Sequence, residues 1–401
     1  MNKLRIARVA GFAFLLIFPF EAVSYAFHEG GSETYCLGCH NISQVERTPD
    51  LTINEIISAL PPGSTLKGSD PSSTCLQCHA LPGAVQSVLS NDGSKFTPGG
   101  DFYWLRKTFI WTRENHSFQS DADSHGHNVV AMDYGLNPDR RHSVAPGGRY
   151  PSSSLSCISC HDPHATISVN ESTGSTRSAS TVSAQGPLEG TTKGNYRLLA
   201  GVGYSNGSPG SGVTFAYGAP VAVADSSCWT ETDSSHPAYG SDMSEWCANC
   251  HSAFLNSSNS IIGREHPSGN GSKLTVDIAG NYNSYTRTGD FNGNEANAYL
   301  ALVPFESGIS NVHFLIPSSS SGPGLGNENV MCLTCHRAHA SAFYKIGRWD
   351  FQATLLTDSH PQFGDGGTNG MDVLNSYYGR DIATEFGQTQ RQLCNKCHLK
   401  D

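Results

Sequence analysis

Apolar positions in this chain come in short bursts, and three of these carry helical spacing. Leu51–Leu60 follows Thr48-Pro49-Asp50 and stops before Pro61-Pro62-Gly63, a start and a stop at a helix's distance. Asn294–Val303 runs apolar up to Pro304, and Met371–Phe386 places Val373, Leu374, Tyr377, Tyr378 and Ile382 at helical intervals. Between them lie Ser- and Gly-rich stretches at Ser152–Ser156, Glu171–Gln185, Tyr204–Ser211 and Ser318–Gly326. The pattern predicts short helices, long irregular connections and very little sheet.

One further apolar run, Val9 to Phe20, has a different meaning. Lys3, Arg5 and Arg8 precede it, and Ser24-Tyr25-Ala26 places small residues where a leader peptidase cuts. It is shorter than the about 20 residues that a membrane span needs, and no later segment competes. Residues 1–26 are therefore expected to be a secretory signal peptide. Residues 27–401 would be the exported working unit, with no transmembrane segment.

Composition alone argues for a weak core. Hydrophobic residues are 37% and charged residues 15%, with 42 Gly and 20 Pro, which is poor material for burying apolar surface unaided. The cysteines change that reading. Twelve of the 13 fall in six Cys-x-x-Cys-His pentapeptides: Cys36/Cys39/His40, Cys75/Cys78/His79, Cys157/Cys160/His161, Cys247/Cys250/His251, Cys332/Cys335/His336 and Cys394/Cys397/His398. Random placement of 13 Cys and 17 His among 401 positions would give roughly 0.02 such motifs per chain. Each is the signature of covalent haem c attachment: two thiols add to the porphyrin vinyl groups and the imidazole reaches the iron. A zinc protein would instead combine its pairs into Cys₄ or Cys₂His₂ sets, with no His fixed after each pair.

The chain is thus read as a multihaem cytochrome c, with irregular loops and short helices wrapped on six covalently bound haems. Each motif is expected on one or two helical turns. The gaps between motifs, from 34 to 85 residues, exclude a simple repeat array. Cys228 is left over, either shielded or paired between chains. Net charge is −10, and loss of residues 1–26 with their Lys3, Arg5, Arg8 and Glu21 leaves −12. That excludes a nucleic-acid binder, which shows a basic face.

The sixth iron position decides what a haem does. Beyond the six motif histidines stand His28, His116, His125, His127, His142, His164, His236, His266, His313, His339 and His360, enough for a second imidazole on every iron. Four Met remain after the leader, too few for His/Met ligation throughout. Bis-histidine ligation at every haem, with low potentials, follows. His164 and His339 each lie three residues after a motif histidine, on the same face of a turn. Neither can reach the far side of its own motif's iron, so each is expected to serve a neighbouring haem.

The chain resembles the hexahaem outer-surface cytochromes of metal-reducing bacteria that polymerise into nanowires, the outer-membrane cytochrome S type. The likeness runs through Phe27-His28-Glu29-Gly30-Gly31, Thr97-Pro98-Gly99-Gly100-Asp101-Phe102, Gly126-His127-Asn128 and His161-Asp162-Pro163-His164. It continues through Met243-Ser244-Glu245-Trp246, Arg264-Glu265-His266-Pro267 and His336-Arg337-Ala338-His339-Ala340. The resemblance implies a continuous haem chain, alternately stacked and T-shaped, through head-to-tail subunits. It implies distal ligand roles for His28, His127, His164, His266, His313 and His339. Outer-membrane or periplasmic cytochromes are the expected donors, and extracellular metal oxides or electrodes the expected acceptors. Where the family has a bridging His three residues after the first motif His, this chain has Ser43. Assembly then either does without that link or uses one of His116, His125, His142, His236 and His360. Two other readings stand beside the filament: a soluble monomeric shuttle, and an oxyanion reductase with one open haem. The reductase is disfavoured by the absence of Cys-x-x-Cys-Lys.

Overall fold

The computed structural model describes residues 38–41, 66–84, 86–163, 196–205, 212–224, 229–255, 266–324 and 326–400. The leader, the Leu51–Leu60 helix, Cys36, Ser43, Cys228, His28 and His164 lie outside the described residues. Among the described residues, regular structure is sparse, as the Gly- and Ser-rich pattern requires. The helices are α1 (Pro71–His79), α2 (Met243–Cys247), α3 (Ser252–Leu255), α4 (Val276–Ser284), α5 (Cys332–Cys335), α6 (Asp372–Ser376) and α7 (Ile382–Glu385). Two antiparallel two-stranded sheets pair β1 (Phe109–Arg113) with β2 (His116–Ser120) and β3 (Val221–Val223) with β4 (Ala238–Ser241).

Local chemistry explains where these elements start. Asp70 caps α1 by accepting the Ser73 N–H at 2.7 Å, ahead of a proline in the first turn. Thr275 accepts the Ile278 N–H at 3.3 Å to start α4. The β1–β2 hairpin turns at Glu114 and Asn115, which hold φ of 52° and 63°, the doubly left-handed turn that suits strand twist.

Two helices expected from the sequence do not form as such. Within 294–303 only a 3₁₀ turn, Glu295–Asn297, is present. The segment from Leu300 to Val303 is buried on every side, whereas an amphipathic helix would turn one face outward. Its backbone is satisfied by side chains instead: Tyr282 Oη accepts the Leu300 N–H at 2.9 Å and Asp233 accepts that of Ala301 at 2.7 Å. The 371–386 segment splits into α6 and α7 because Tyr378 and Gly379 adopt φ of 58° and 76°. The Tyr378 hydroxyl donates to the Thr97 carbonyl at 2.5 Å, a tertiary contact that holds this break.

The core is assembled from distant stretches. Leu76, Trp104, Phe109, Tyr282, Leu302, Phe343, Trp349 and Leu393 form one buried cluster, and Cys335, Cys394 and Cys397 pack against it. The last two attachment motifs are therefore seated directly on the main core.

Candidate haem sites

Attachment motifs are wound into single turns. In the second, the whole Cys75–His79 stretch is the last part of α1. In the third to sixth, the motif histidine N–H returns to the carbonyl of the first cysteine: His161 to Cys157, His251 to Cys247 and His336 to Cys332 at 3.0 Å, and His398 to Cys394 at 2.9 Å. This i to i+4 closure puts both thiols and the imidazole on one side of the turn, where they can meet one porphyrin face.

Cys78 departs from the pattern of a protein-seated attachment thiol. It is exposed, whereas the other motif cysteines among the described residues are half-buried. The cause lies in α1, which turns Ser72, Ser73, Thr74 and Leu76 into the protein. Cys78 stands two residues, about 200° of helical rotation, beyond the buried Leu76 and so points to the outside. The protein therefore encloses one side of the second motif, through Cys75, and leaves the Cys78 side open. Its place three residues from Cys75 and next to His79, rather than its surroundings, supports Cys78 as an attachment thiol.

Successive motifs are neighbours. The Cys75 thiol is hydrogen-bonded to that of Cys157, and this bond together with burial pushes it up. The Cys247 thiol is raised in the same way by Cys332 and burial. Cys39 lies within electrostatic reach of Cys75, Cys160 of Cys250, and Cys335 of Cys394 and Cys397. The motifs thus follow one another in space in the order of the sequence. Both contacting pairs share a device that sequence reasoning missed. Ser72 Oγ accepts the Cys157 N–H at 3.1 Å, and Ser244 Oγ accepts the Cys332 N–H at 2.9 Å. Each serine stands three residues before the first cysteine of its own motif and ties down the start of the next. The repeated Ser-x-x-Cys-x-x-Cys-His is the signal that could have found it.

Three pairs of imidazoles face one another. Ring centres are 5.9 Å apart for His127 and His251, 6.3 Å for His161 and His339, and 6.1 Å for His266 and His398. An imidazole–metal bond of about 2 Å on each side, plus about 1 Å from nitrogen to ring centre, calls for about 6 Å. In each pair one ring belongs to an attachment motif and the other comes from elsewhere. Nδ1 donates to a backbone carbonyl in His127 (Ala338, 2.7 Å), His161 (Arg197, 2.9 Å), His251 (Pro146, 2.7 Å) and His266 (Pro267, 2.9 Å). That fixes the tautomer and leaves Nε2 for a metal. His79 and His336 are oriented likewise, by Gln86 and Lys345. Burial pushes His127 down to about 4 and His339 to about 3, so both are neutral and ligand-ready.

His339 faces the third motif, although it follows the fifth in sequence. Its backbone explains how. The His339 N–H donates to Gly99 O at 2.6 Å, and His339 O accepts from His127 N–H at 2.9 Å. The Ala338 carbonyl meanwhile holds the His127 ring. Residues 336–339 therefore carry one motif histidine, orient the imidazole opposite His251 and present the one opposite His161. Glycine is required at this junction. A Cβ on Gly100, which holds φ of +97°, would overlap Ala340 O, and one on Gly126 would stand 2.6 Å from His339 O.

The other histidines sort by their surroundings. His125 is buried with Nδ1 on Trp104 O and Nε2 on Ser120 Oγ, and His236 has its two nitrogens on Pro237 O and Ser319 O. Both are committed to structural hydrogen bonds. His142 pairs with Asp139, and His360 pairs with Asp365 while stacking on Trp111. His313 is exposed on the 3₁₀ turn Val312–Phe314, and His116 is exposed on β2; neither belongs to the three pairs.

A buried ionic cluster tests the fit to haem independently. Glu231 is bonded to Arg337 and, at 3.1 Å, to Arg348, with all three side chains essentially inaccessible. Burial opposes the Glu231 charge, but Arg348 and Arg337 outweigh it and hold the carboxyl below its ordinary range. The cluster keeps a surplus positive charge beside the fifth motif, since Arg337 follows His336 directly and Arg348 Nε donates to the His336 carbonyl at 3.1 Å. Arg337 Nη2 and Arg348 Nη2 are buried without an acceptor among the described residues. Such donors are costly unless a partner is supplied. A haem propionate would supply both the acceptor and the missing negative charge, so the residues present fit the group. No three His, Cys, Asp or Glu side chains among the described residues converge as a zinc site requires.

No protein-family model matches the chain. It is 37% identical, over a 431-residue alignment covering 98% of each sequence, to the C-type cytochrome OmcS of Geobacter sulfurreducens. Its fold is similar to that seen by cryo-EM in OmcS nanowires of that organism, with a TM-score of 0.75 and 35% identity over 93% of this chain and 99% of that one. A second structure, of the Outer Membrane Cytochrome S filament, gives a TM-score of 0.71 and 34% identity over 91% and 98% of the two chains. With that likeness running from end to end, and with attachment turns and facing imidazoles in place, the chain belongs to the OmcS family of c-type cytochromes.

Proposed function

We propose that residues 27–401 form one hexahaem electron-transfer unit, exported through the signal peptide 1–26, that polymerises head to tail into a conducting extracellular filament. The observation that carries this reading is the three facing imidazole pairs strung along motifs that succeed one another in space. Haem supplies the one-electron couple. The twelve motif cysteines, the exposed Cys78 among them, hold the six rings, and His40, His79, His161, His251, His336 and His398 serve as proximal ligands. His251, His161 and His398 are matched by His127, His339 and His266. His28, His164 and His313 are the candidates for the rest. Imidazoles on both sides of an iron would leave no room there for substrate, which supports a carrier over an enzyme.

The serial order supports conduction from the first haem to the sixth. His266 and His398 are exposed, as a terminal haem that meets the next subunit requires. A head-to-tail contact is heterologous and, when its rotation does not close, extends indefinitely. Neighbouring cytochromes would supply electrons, and metal oxides or electrodes would accept them. Two measurements test the reading. The oxidised protein should carry six haems by mass, be wholly low-spin and bind no carbon monoxide on reduction. Micrographs of native protein should show filaments; monomers at every concentration and salt would leave the soluble shuttle. One high-spin iron per chain would favour the reductase.

A further inference from the structure

Glu306 lies behind the fourth and fifth attachment motifs. Its side chain is fully buried. Oε1 accepts the Met243 N–H at 2.6 Å, while Oε2 is buried with no partner among the described residues. No ion pair reaches it there. Its backbone pairs with Asn329 on one side and bridges Tyr239 of β4 on the other. Met243 opens α2, which ends at Cys247, and Asn329 leads into Cys332. The carboxyl therefore sits behind both members of a contacting motif pair, within electrostatic reach of the Cys247 and Cys332 sulfurs.

Its surroundings favour the neutral acid. Asp242 and Glu245 flank it from the α2 side, and the Tyr239 phenol belongs to β4. Glu328 and Lys273 lie on the segments that pair about Asn329. Lys273 is the cation of this group, and it does not pair with Glu306. Burial, then the neighbouring Glu245 and Asp242, push the carboxyl up to about 8, against its hydrogen bond from Met243. A solvent-facing cleft lined by Asp242, Asn270, Lys273, Asn327 and Asn329 reaches Asn329, which pairs with the Glu306 backbone, and Asp242, which precedes the Met243 that holds its carboxyl; the proton would enter from this side.

We infer that Glu306 couples proton uptake to reduction of the haems on the fourth and fifth motifs. This rests on the reading that those motifs carry haem. An upstream one-electron carrier reduces Fe(III) to Fe(II), solvent supplies one proton, and the carboxylate becomes the carboxylic acid. Oxidation reverses both. The sign follows from charge: an oxidised iron stabilises the nearby carboxylate, and a reduced one does not. The coupling expected between the carboxylate and a nearby iron charge is about tenfold in the acid constant. A tenfold change in the acid constant corresponds to 59 mV in a one-electron potential.

Voltammetry of the six-haem protein from pH 5.5 to 9.5 tests this. At least one potential should fall by about 59 mV as pH rises through the titration, and Glu306→Gln should abolish that fall. Infrared difference spectra should show a carboxylic acid band on reduction, one that persists when the haem propionates carry carbon-13. A slope retained in Glu306→Gln would move the proton elsewhere and overturn the proposal. So would pH-independent potentials in the unaltered protein, even though haem count and low-spin spectra would leave the cytochrome assignment intact. If Glu306→Gln fails to load six haems, the labelled infrared experiment on the unaltered protein decides: absence of the band overturns the proposal.

Discussion

Replacing Ser244 with Ala removes the acceptor of the Cys332 N–H, the first amide of α5. A helix's first amides have no partner within the helix, so this donor depends on the serine alone. Ser244 is only 2% exposed, and alanine leaves a space too small for water to restore the bond. The cost is that of an orphaned buried donor, about 1–3 kcal/mol. Ser72→Ala should lose a similar amount through the Cys157 N–H. The two serines act on separate motif pairs, so the double variant should lose about the sum. Denaturant unfolding of the haem-loaded protein should show a lower midpoint at unchanged slope. Threonine, which keeps the hydroxyl, should recover most of the loss.

A second readout separates clamping from general stability. The serine fixes where one thioether-bearing turn begins relative to another, and therefore how two porphyrins overlap. Soret circular dichroism, which reports coupling between stacked rings, should weaken in Ser244→Ala at temperatures where the protein is still folded. Unfolding free energies within about 0.3 kcal/mol of the parent, with an unchanged Soret couplet, would refute the clamp.

His339→Ala should keep six haems by mass and make one iron high-spin, that of the third motif, since the ring it removes faces His161; a wholly low-spin spectrum would show that His339 is no ligand. Glu231→Gln removes the one protein carboxylate that pairs with the two buried guanidinium groups among the described residues and should cost about 3–5 kcal/mol, raising a nearby potential because the added net positive charge favours the electron; an unchanged unfolding midpoint would count against it. Glu306 titrates above its ordinary 4.5, at about 8, so its contribution to stability is full at low pH and lost as pH rises through that range. Glu306→Gln should flatten this fall between about pH 5 and 8, measured by thermal melts at each pH.

The turn that each motif forms was legible because it is local: two thiols and an imidazole must share one turn, and the turn is written in five residues. How each thiol is housed was not, since the exposure of Cys78 follows from which side of α1 the rest of the chain covers. The facing histidines were legible as candidates but not as partners. His339 and His161 meet only because Gly99, Gly100 and Gly126 admit the 338–340 backbone closely, and a glycine does not announce what it admits. The buried charge cluster was invisible for a similar reason. Glu231, Arg337 and Arg348 look like ordinary surface residues until the chain brings them together without water. Tertiary contacts also overrode two helical patterns: the 298–303 run is surrounded by core, and Tyr378 takes a left-handed conformation that its hydroxyl's bond to Thr97 holds.

What orders the haems is the chain's connectivity. Each motif contacts or neighbours the next one in sequence, so the electron path needs no crossing of distant loops. The long stretches between motifs are then free to bring further imidazoles from far away: His127 faces the fourth motif's histidine, His339 the third's and His266 the sixth's. Local turns set the order of the motifs, and non-local loops bring an imidazole to face three of them. That division explains how a chain with so little helix or sheet specifies one arrangement. The backbone need not form layers where described loops are pinned at a motif, at a facing imidazole, or at a buried polar contact such as Ser72 or Ser244.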